Sequence, residues 1–181
     1  VKRPHYGTSF FVTADSPIRS LDALRGKRIA LKDVGSASGH LLPMLMLREA
    51  GLDPERDLQV IMAGDTRAAA LANGDVAAMG GGNRDDRLLR QLDPDGEYRV
   101  IAKSPILPGD PVLIRGSLPE SCRTALAEQL EASADTLWEA LVATERNHEK
   151  FVDRDSALRF DRTSEDYSLV REAYAAAGID L

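Results

Sequence analysis

The chain has 181 residues, 43% of them hydrophobic and 29% charged, which is enough apolar material for one globular domain or two small lobes. With 23 Lys and Arg against 29 Asp and Glu the formal net charge is −6, and only 5% of residues are aromatic, which argues against a nucleic-acid partner. The single cysteine, Cys122, excludes an internal disulfide and a cysteine metal cluster, and no apolar run reaches the ~18–20 residues of a membrane span.

Residues 7–13 (GTSFFVT) are β-branched and aromatic and predict a strand. Asp15-Ser16-Pro17 punctuates it, and Ser20 to Gly26 predicts a short capped helix closed by glycine. Residues 27–32 predict a second strand, followed by a polar turn and a helix with Leu41, Leu42, Leu45, Met46 and Ala50 at helical spacing, stopped by Gly51. Strands over 58–62, 75–79 and 98–102 then alternate with helices over 66–73 and 84–92, the pattern of an α/β sheet with mainly parallel neighbours. Past the turn-rich stretch Pro105–Pro111, 112–115 (VLIR) is strand-like, and 119–148 and 164–177 are helical, the last with Tyr167, Val170, Ala173 and Tyr174 on one stripe.

Gly35-Ser36-Ala37-Ser38-Gly39-His40 lies between a strand and a helix. A helix start presents backbone N–H groups without partners, glycines let a ligand approach closely, and serine hydroxyls donate further bonds, so the turn suits an anion. The same residues serve equally as an ordinary N-cap. Enzyme readings of this turn fail. A nucleophile elbow needs serine where Ala37 stands, a nucleotide phosphate loop needs a lysine after Gly39, and Gly80-Gly81-Gly82 lacks the spacing of a dinucleotide fingerprint. His5, His40 and His148 are too few and too scattered for a metal site.

Several segments in order resemble the phosphate/phosphite/phosphonate ABC-transporter substrate-binding proteins. They are Tyr6-Gly7-Thr8-Ser9-Phe10-Phe11-Val12, Asp15-Ser16-Pro17-Ile18, Leu21-Asp22-Ala23-Leu24-Arg25-Gly26-Lys27, the Gly35–Gly39 turn with Pro43, Ala50-Gly51-Leu52-Asp53-Pro54, and Ser104-Pro105-Ile106-Leu107-Pro108-Gly109-Asp110-Pro111. The resemblance runs in register from about residue 5 to 119. It implies an α/β, type-II periplasmic binding fold of two lobes. Residues 28–103 would form the lobe with the anion loop, and 1–27 with 104–181 would form parts of the other, which is incomplete in this chain because the family carries a further N-terminal portion.

The resemblance also implies a site and a role. Ser36, Ala37, Ser38 and Gly39 would hold the oxyanion, and Tyr6 would hydrogen-bond it from the other lobe. Asp110 and one of Asp85 or Asp86 would stand where the family places carboxylates able to meet an organic amine. Three positions depart from the family pattern: Ala37 replaces a threonine, Asp65 stands where a histidine is frequent, exchanging a donor for an acceptor, and Ala77 stands where the family's G-x-V-D-A run, here Gly74-Asp75-Val76-Ala77-Ala78, has its aspartate. The implied protein is a receptor and not an enzyme. It uses no cofactor, binds no nucleic acid, and passes a small oxyanion to ABC-transporter membrane subunits. Its expected place is periplasmic, or extracellular and membrane-anchored, without direct membrane insertion of this segment. A ligand-sensing input domain of a signalling or regulatory protein with the same fold is the alternative.

Overall fold

A computed structural model describes residues 6–82, 85–152 and 156–179. They divide into two compact units, one of 6–107 with 167–179, the other lying within 108–166.

The first unit is built on strands β1 (Thr8–Thr13), β2 (Arg28–Leu31), β3 (Gln59–Met62), β4 (Ala78–Gly82) and β5 (Tyr98–Lys103), in the sheet order β3-β2-β4-β1-β5. Helices α1 (Leu42–Glu49), α2 (Arg67–Ala72) and α3 (Asp86–Leu92) connect them, α1 running on from a wide first turn over Ala37–Leu41. Alternate residues of β1 and β2 feed opposite faces. Phe10, Val12, Ile29 and Leu31 pack with Leu42, Met46 and Leu47, while Phe11 and Ala30 pack with Ala68, Leu71, Met79 and Leu89. A sheet covered on both faces explains why SFFV and IAL read as unbroken apolar runs. Each large side chain so buried contributes about 1.5–3 kcal/mol.

The strand directions differ from the expected, mainly parallel pattern. β2 runs parallel to β3 and β4, but β1 is antiparallel to both β4 and β5. From β2 onward each link contains a helix of crossover length and returns the chain in the same direction. Only a single short turn of helix, Asp22–Leu24, separates β1 from β2, so nothing there imposes parallel entry. That central position of β1 also corrects the expected domain boundary. Residues 6–27 belong to the same sheet as 28–103, and α7 (Ser168–Ala176) belongs with them as well, with Leu169 and Val170 packed on the core.

The strand expected at 75–79 falls at Ala78–Gly82, so the glycine run lies within a strand and not after it. In β4, a Cβ on Gly80 would lie 2.6 Å from Leu31 Cδ2, and one on Gly81 would lie 2.2 Å from Asp85 Oδ2. These glycines make room for neighbouring side chains, which is a packing role.

In the second unit, α4 (Glu120–Ala132), α5 (Ala134–Val142) and α6 (Glu145–Asn147) bear out the helical reading of this region. The strand expected at 112–115 is absent, and Val112 and Leu113 are exposed. β propensity reflects packing on a paired strand, so it does not by itself form a ladder.

Candidate functional site

The parallel strands β2, β3 and β4 end on one edge of the sheet, and β1 begins there, with Thr8 opposite Gly82. The carboxyl edge of such strands is where ligands bind in open α/β sheets. Among the described residues two loops leave it, the Lys32–Ser38 turn and Ala63–Thr66, and Asp85 follows β4 nearby.

The first turn is fixed by its own backbone. Lys32 N–H donates to Gly39 O at 2.8 Å, Ser36 N–H to Asp33 O at 3.1 Å, and both His40 N–H and Leu41 N–H to Ser36 O at 2.9 and 3.0 Å. Ser36 Oγ accepts from Gly39 N–H at 3.3 Å, His40 Nδ1 accepts from Gly35 N–H at 3.1 Å, and Thr8 Oγ1 donates to Ser38 O at 2.7 Å. Three of the backbone donors of Gly35–Gly39, those of Gly35, Ser36 and Gly39, are therefore used by the protein itself. The N–H groups of Ala37 and Ser38 and the hydroxyl of Ser38 meet no partner among the described residues. Ser36 Oγ serves as an acceptor, which leaves its O–H to donate. Burial holds the His40 imidazole below its ordinary pKa, in the neutral form that the bond from Gly35 requires.

Gly39 permits this arrangement. A Cβ there would lie 2.4 Å from Lys32 Cβ and 3.0 Å from Ser36 Oγ, so the lysine stem passes directly over the turn. Ala37 lines an apolar crevice with Leu41, Leu107, Leu169 and Val170. Residue 37 is thus left with its amide as the group it can offer an anion.

Asp65, Asp85 and Asp86 each have a cationic partner in the structure. Asp65 Oδ1 lies 3.8 Å from Lys32 Nζ and 3.5 Å from Arg67 Nη1, with the Asp65 side chain 86% exposed. Such a loose, solvated pair contributes only ~0–1 kcal/mol. Asp85 pairs with Arg67, whose side chain is 2% exposed and also donates through Nη1 to Gly64 O at 2.6 Å. Arg67 Nε is buried without a partner and faces the space left by the missing Cβ of Gly81. Asp86 instead meets Arg90 at 3.8 Å on the outer face of α3.

Tyr6 lies in the same unit as the turn and not across from it, its carbonyl accepting from Leu107 N–H at 2.7 Å. Asp110 belongs to the second unit. Of the expected residues, the structure thus gathers Ser36, Ala37, Ser38, Gly39, Asp65 and Asp85 around one sheet edge. Sequence reasoning missed Thr8, Lys32 and Arg67. Lys32 had a visible signal, a lysine just beyond an apolar strand where a ligand edge begins. Arg67 had none, since an arginine beside alanines on a short helix reads as solvated.

A mixed sheet with unpartnered helix-start amides at its carboxyl edge is suited to holding an anion. Comparison agrees. Residues 1–158 match the family described as ABC transporter, phosphonate, periplasmic substrate-binding protein, and the chain belongs to that family, one of solute-binding proteins and not of enzymes. It is 34% identical over 128 residues, 66% of its length, to the phosphonates-binding periplasmic protein of Escherichia coli K12, of which it spans 38%. Among solved structures it is similar to XAC2383 from Xanthomonas citri bound to ATP, with TM-score 0.69, 23% identity, and 97% of this chain against 66% of that one. It is also similar to PhnD1 from Prochlorococcus marinus in complex with methylphosphonate, with TM-score 0.64, 16% identity, and 97% against 68%. At those identities the likeness shows the fold, a type II-like periplasmic binding fold. No helix among the described residues is long and apolar enough to cross a membrane.

Proposed function

We propose that the protein is a solute-binding receptor for a small phosphonate-, phosphite- or phosphate-like oxyanion, and that it serves the membrane subunits of an ABC transporter in the periplasm or, membrane-anchored, outside the cell. The observation that carries the reading is the pair of unpartnered amides, Ala37 N–H and Ser38 N–H, flanked by the hydroxyls of Ser36 and Ser38 at the first turn of a helix. Each hydrogen bond to a charged oxygen contributes roughly 1.5–3 kcal/mol, and the helix start adds about 0.3–1 kcal/mol. With four donors the sum after ordering costs reaches the micromolar class, near −8 kcal/mol. The net charge of −6 makes this local donor set indispensable, since the overall field repels an anion. Family membership and the methylphosphonate-bound relative of the same fold support the same ligand class.

Titration calorimetry with methylphosphonate, phosphite and phosphate tests this. Binding of at least one is expected, with Ser38→Ala weakening it by about tenfold or more. Absence of binding by all three, or an unaltered affinity in the Ser36→Ala/Ser38→Ala double variant, rules the reading out.

A further inference from the structure

The pair formed by Lys32 and Asp65 lies beside this oxyanion turn, and its geometry points to a second anion subsite. We infer that Lys32, backed by Arg67, takes a second acidic group of the ligand, and that Asp65 occupies that place until the ligand arrives. The inference rests on the oxyanion reading of the Ser36–Ser38 turn and adds the ligand class: a phosphonate that carries a further anionic group, such as a carboxylate.

Lys32 and Arg67 both converge on one atom, Asp65 Oδ1, at 3.8 and 3.5 Å. Two cations directed at a single oxygen repel each other without an anion between them, so this point between the loops after β2 and β3 favours negative charge. Asp85 already balances Arg67 from the other side. When Asp65 swings away, Lys32 is left without an ion pair among the described residues, the Asp33 carboxylate facing Gly64 instead. Arg67 cannot follow Asp65, because it is 2% exposed and tied to Gly64 O and Asp85. Lys32 is held at its stem, which crosses Gly39 beside Ser36 Oγ, while its side chain remains 38% exposed. Asp65, by contrast, is 86% exposed and has no hydrogen bond shorter than 3.5 Å among the described residues. Arg67 is fixed, Lys32 is anchored only along its stem, and the carboxylate is loose, which is the arrangement that lets an incoming anion take the carboxylate's place. An amine-bearing ligand would meet the opposite situation. It would have to compete with Lys32 for Asp65, and Asp85 is engaged by Arg67.

The test compares methylphosphonate with phosphonoacetate and 3-phosphonopropionate by titration calorimetry on the wild type and on Lys32→Met and Asp65→Asn. The wild type is expected to prefer one of the phosphonocarboxylates by about tenfold or more, the scale of one charge-assisted contact. Lys32→Met, which keeps the stem over Gly39 and removes only the charge, should collapse that preference to about threefold or less. Asp65→Asn should tighten the phosphonocarboxylate, because the ligand no longer displaces a carboxylate. Methylphosphonate binding with no preference for either phosphonocarboxylate, a preference that survives Lys32→Met, or a weakening by Asp65→Asn overturns the subsite and leaves the oxyanion turn standing. Failure of all three probes to bind the wild type removes the turn's reading and the subsite with it.

Discussion

At Gly39 a single hydrogen atom separates two backbone layers. The Lys32 stem and the Ser36 hydroxyl both approach the point where a Cβ would stand, at 2.4 and 3.0 Å. The clash with Lys32 is at Cβ, an atom fixed to its own backbone, so no rotamer change relieves it. Gly39→Ala should therefore pull apart the Lys32 N–H to Gly39 O bond and tilt the first turn, destabilising the protein by about 1–3 kcal/mol, the usual cost of overpacking. Because that turn carries the unpartnered amides, methylphosphonate affinity should fall with the stability. Urea denaturation together with titration of the variant measures both, and wild-type values in both would show that the turn yields without cost. The glycine could be noticed in the sequence, but the reason for it could not, since Lys32 and Gly39 are seven positions apart in the chain and meet only because the strand end and the helix start fold onto each other.

The strand-turn-helix unit from β2 to α1 was the element most legible in the sequence, because everything that shapes it is local: the apolar run Ile29–Leu31, the polar turn, and the helical spacing of Leu42, Met46 and Leu47. The direction of β1 and the pairing of Asp85 with Arg67 were not legible, because both depend on partners remote in the chain. Within this element His40 links the turn to pH. Its Nδ1 accepts from Gly35 N–H only while unprotonated, and burial lowers its pKa below the ordinary value of 6.5. A folded-state pKa lower than the unfolded one gives a contribution that is complete above about pH 6.5 and is lost as pH falls through the folded value. Thermal unfolding in the presence of methylphosphonate should accordingly show a loss of stability between pH 7.5 and pH 5 that is larger in the wild type than in His40→Gln, whose amide oxygen keeps an acceptor near Gly35 without titrating. Parallel pH profiles for the two proteins would remove His40 from the turn's support.

At the scale of the molecule the two units differ in what holds them. Every buried apolar side chain among the described residues belongs to 6–107 or 167–179, and none to 108–166. The sequence foretold the helices of this second unit correctly but not their lack of a core, because helical periodicity reports an apolar face without saying whether anything covers it. The same gap explains why the boundary expected at 103/104 failed at α7. Its stripe of Val170 and Ala173 was visible, but the sheet unit it joins was not. The contacts within the second unit include Trp138 edge-on to Phe151 at 6.4 Å, Asn147 Nδ2 donating to Leu141 O at 2.8 Å, and Arg123 Nη1 donating to Gly116 O at 2.9 Å. An aromatic pair of this kind contributes about 0.5–1.5 kcal/mol and a single hydrogen bond about 0.5–1.5 kcal/mol, small beside the several buried side chains that anchor each strand of the sheet. Amide hydrogen exchange should therefore separate the units. Amides of α4 and α5 are expected to exchange through local opening, at least about a hundredfold faster than those of β1 and β2, whose exchange requires the sheet itself to come apart. Saturating methylphosphonate should slow exchange most around Ser36–Leu42, since a ligand adds stability where it binds. Equal protection of α4 and β1 would mean that the helices of 108–166 share the cooperativity of the sheet despite burying no apolar side chain of their own.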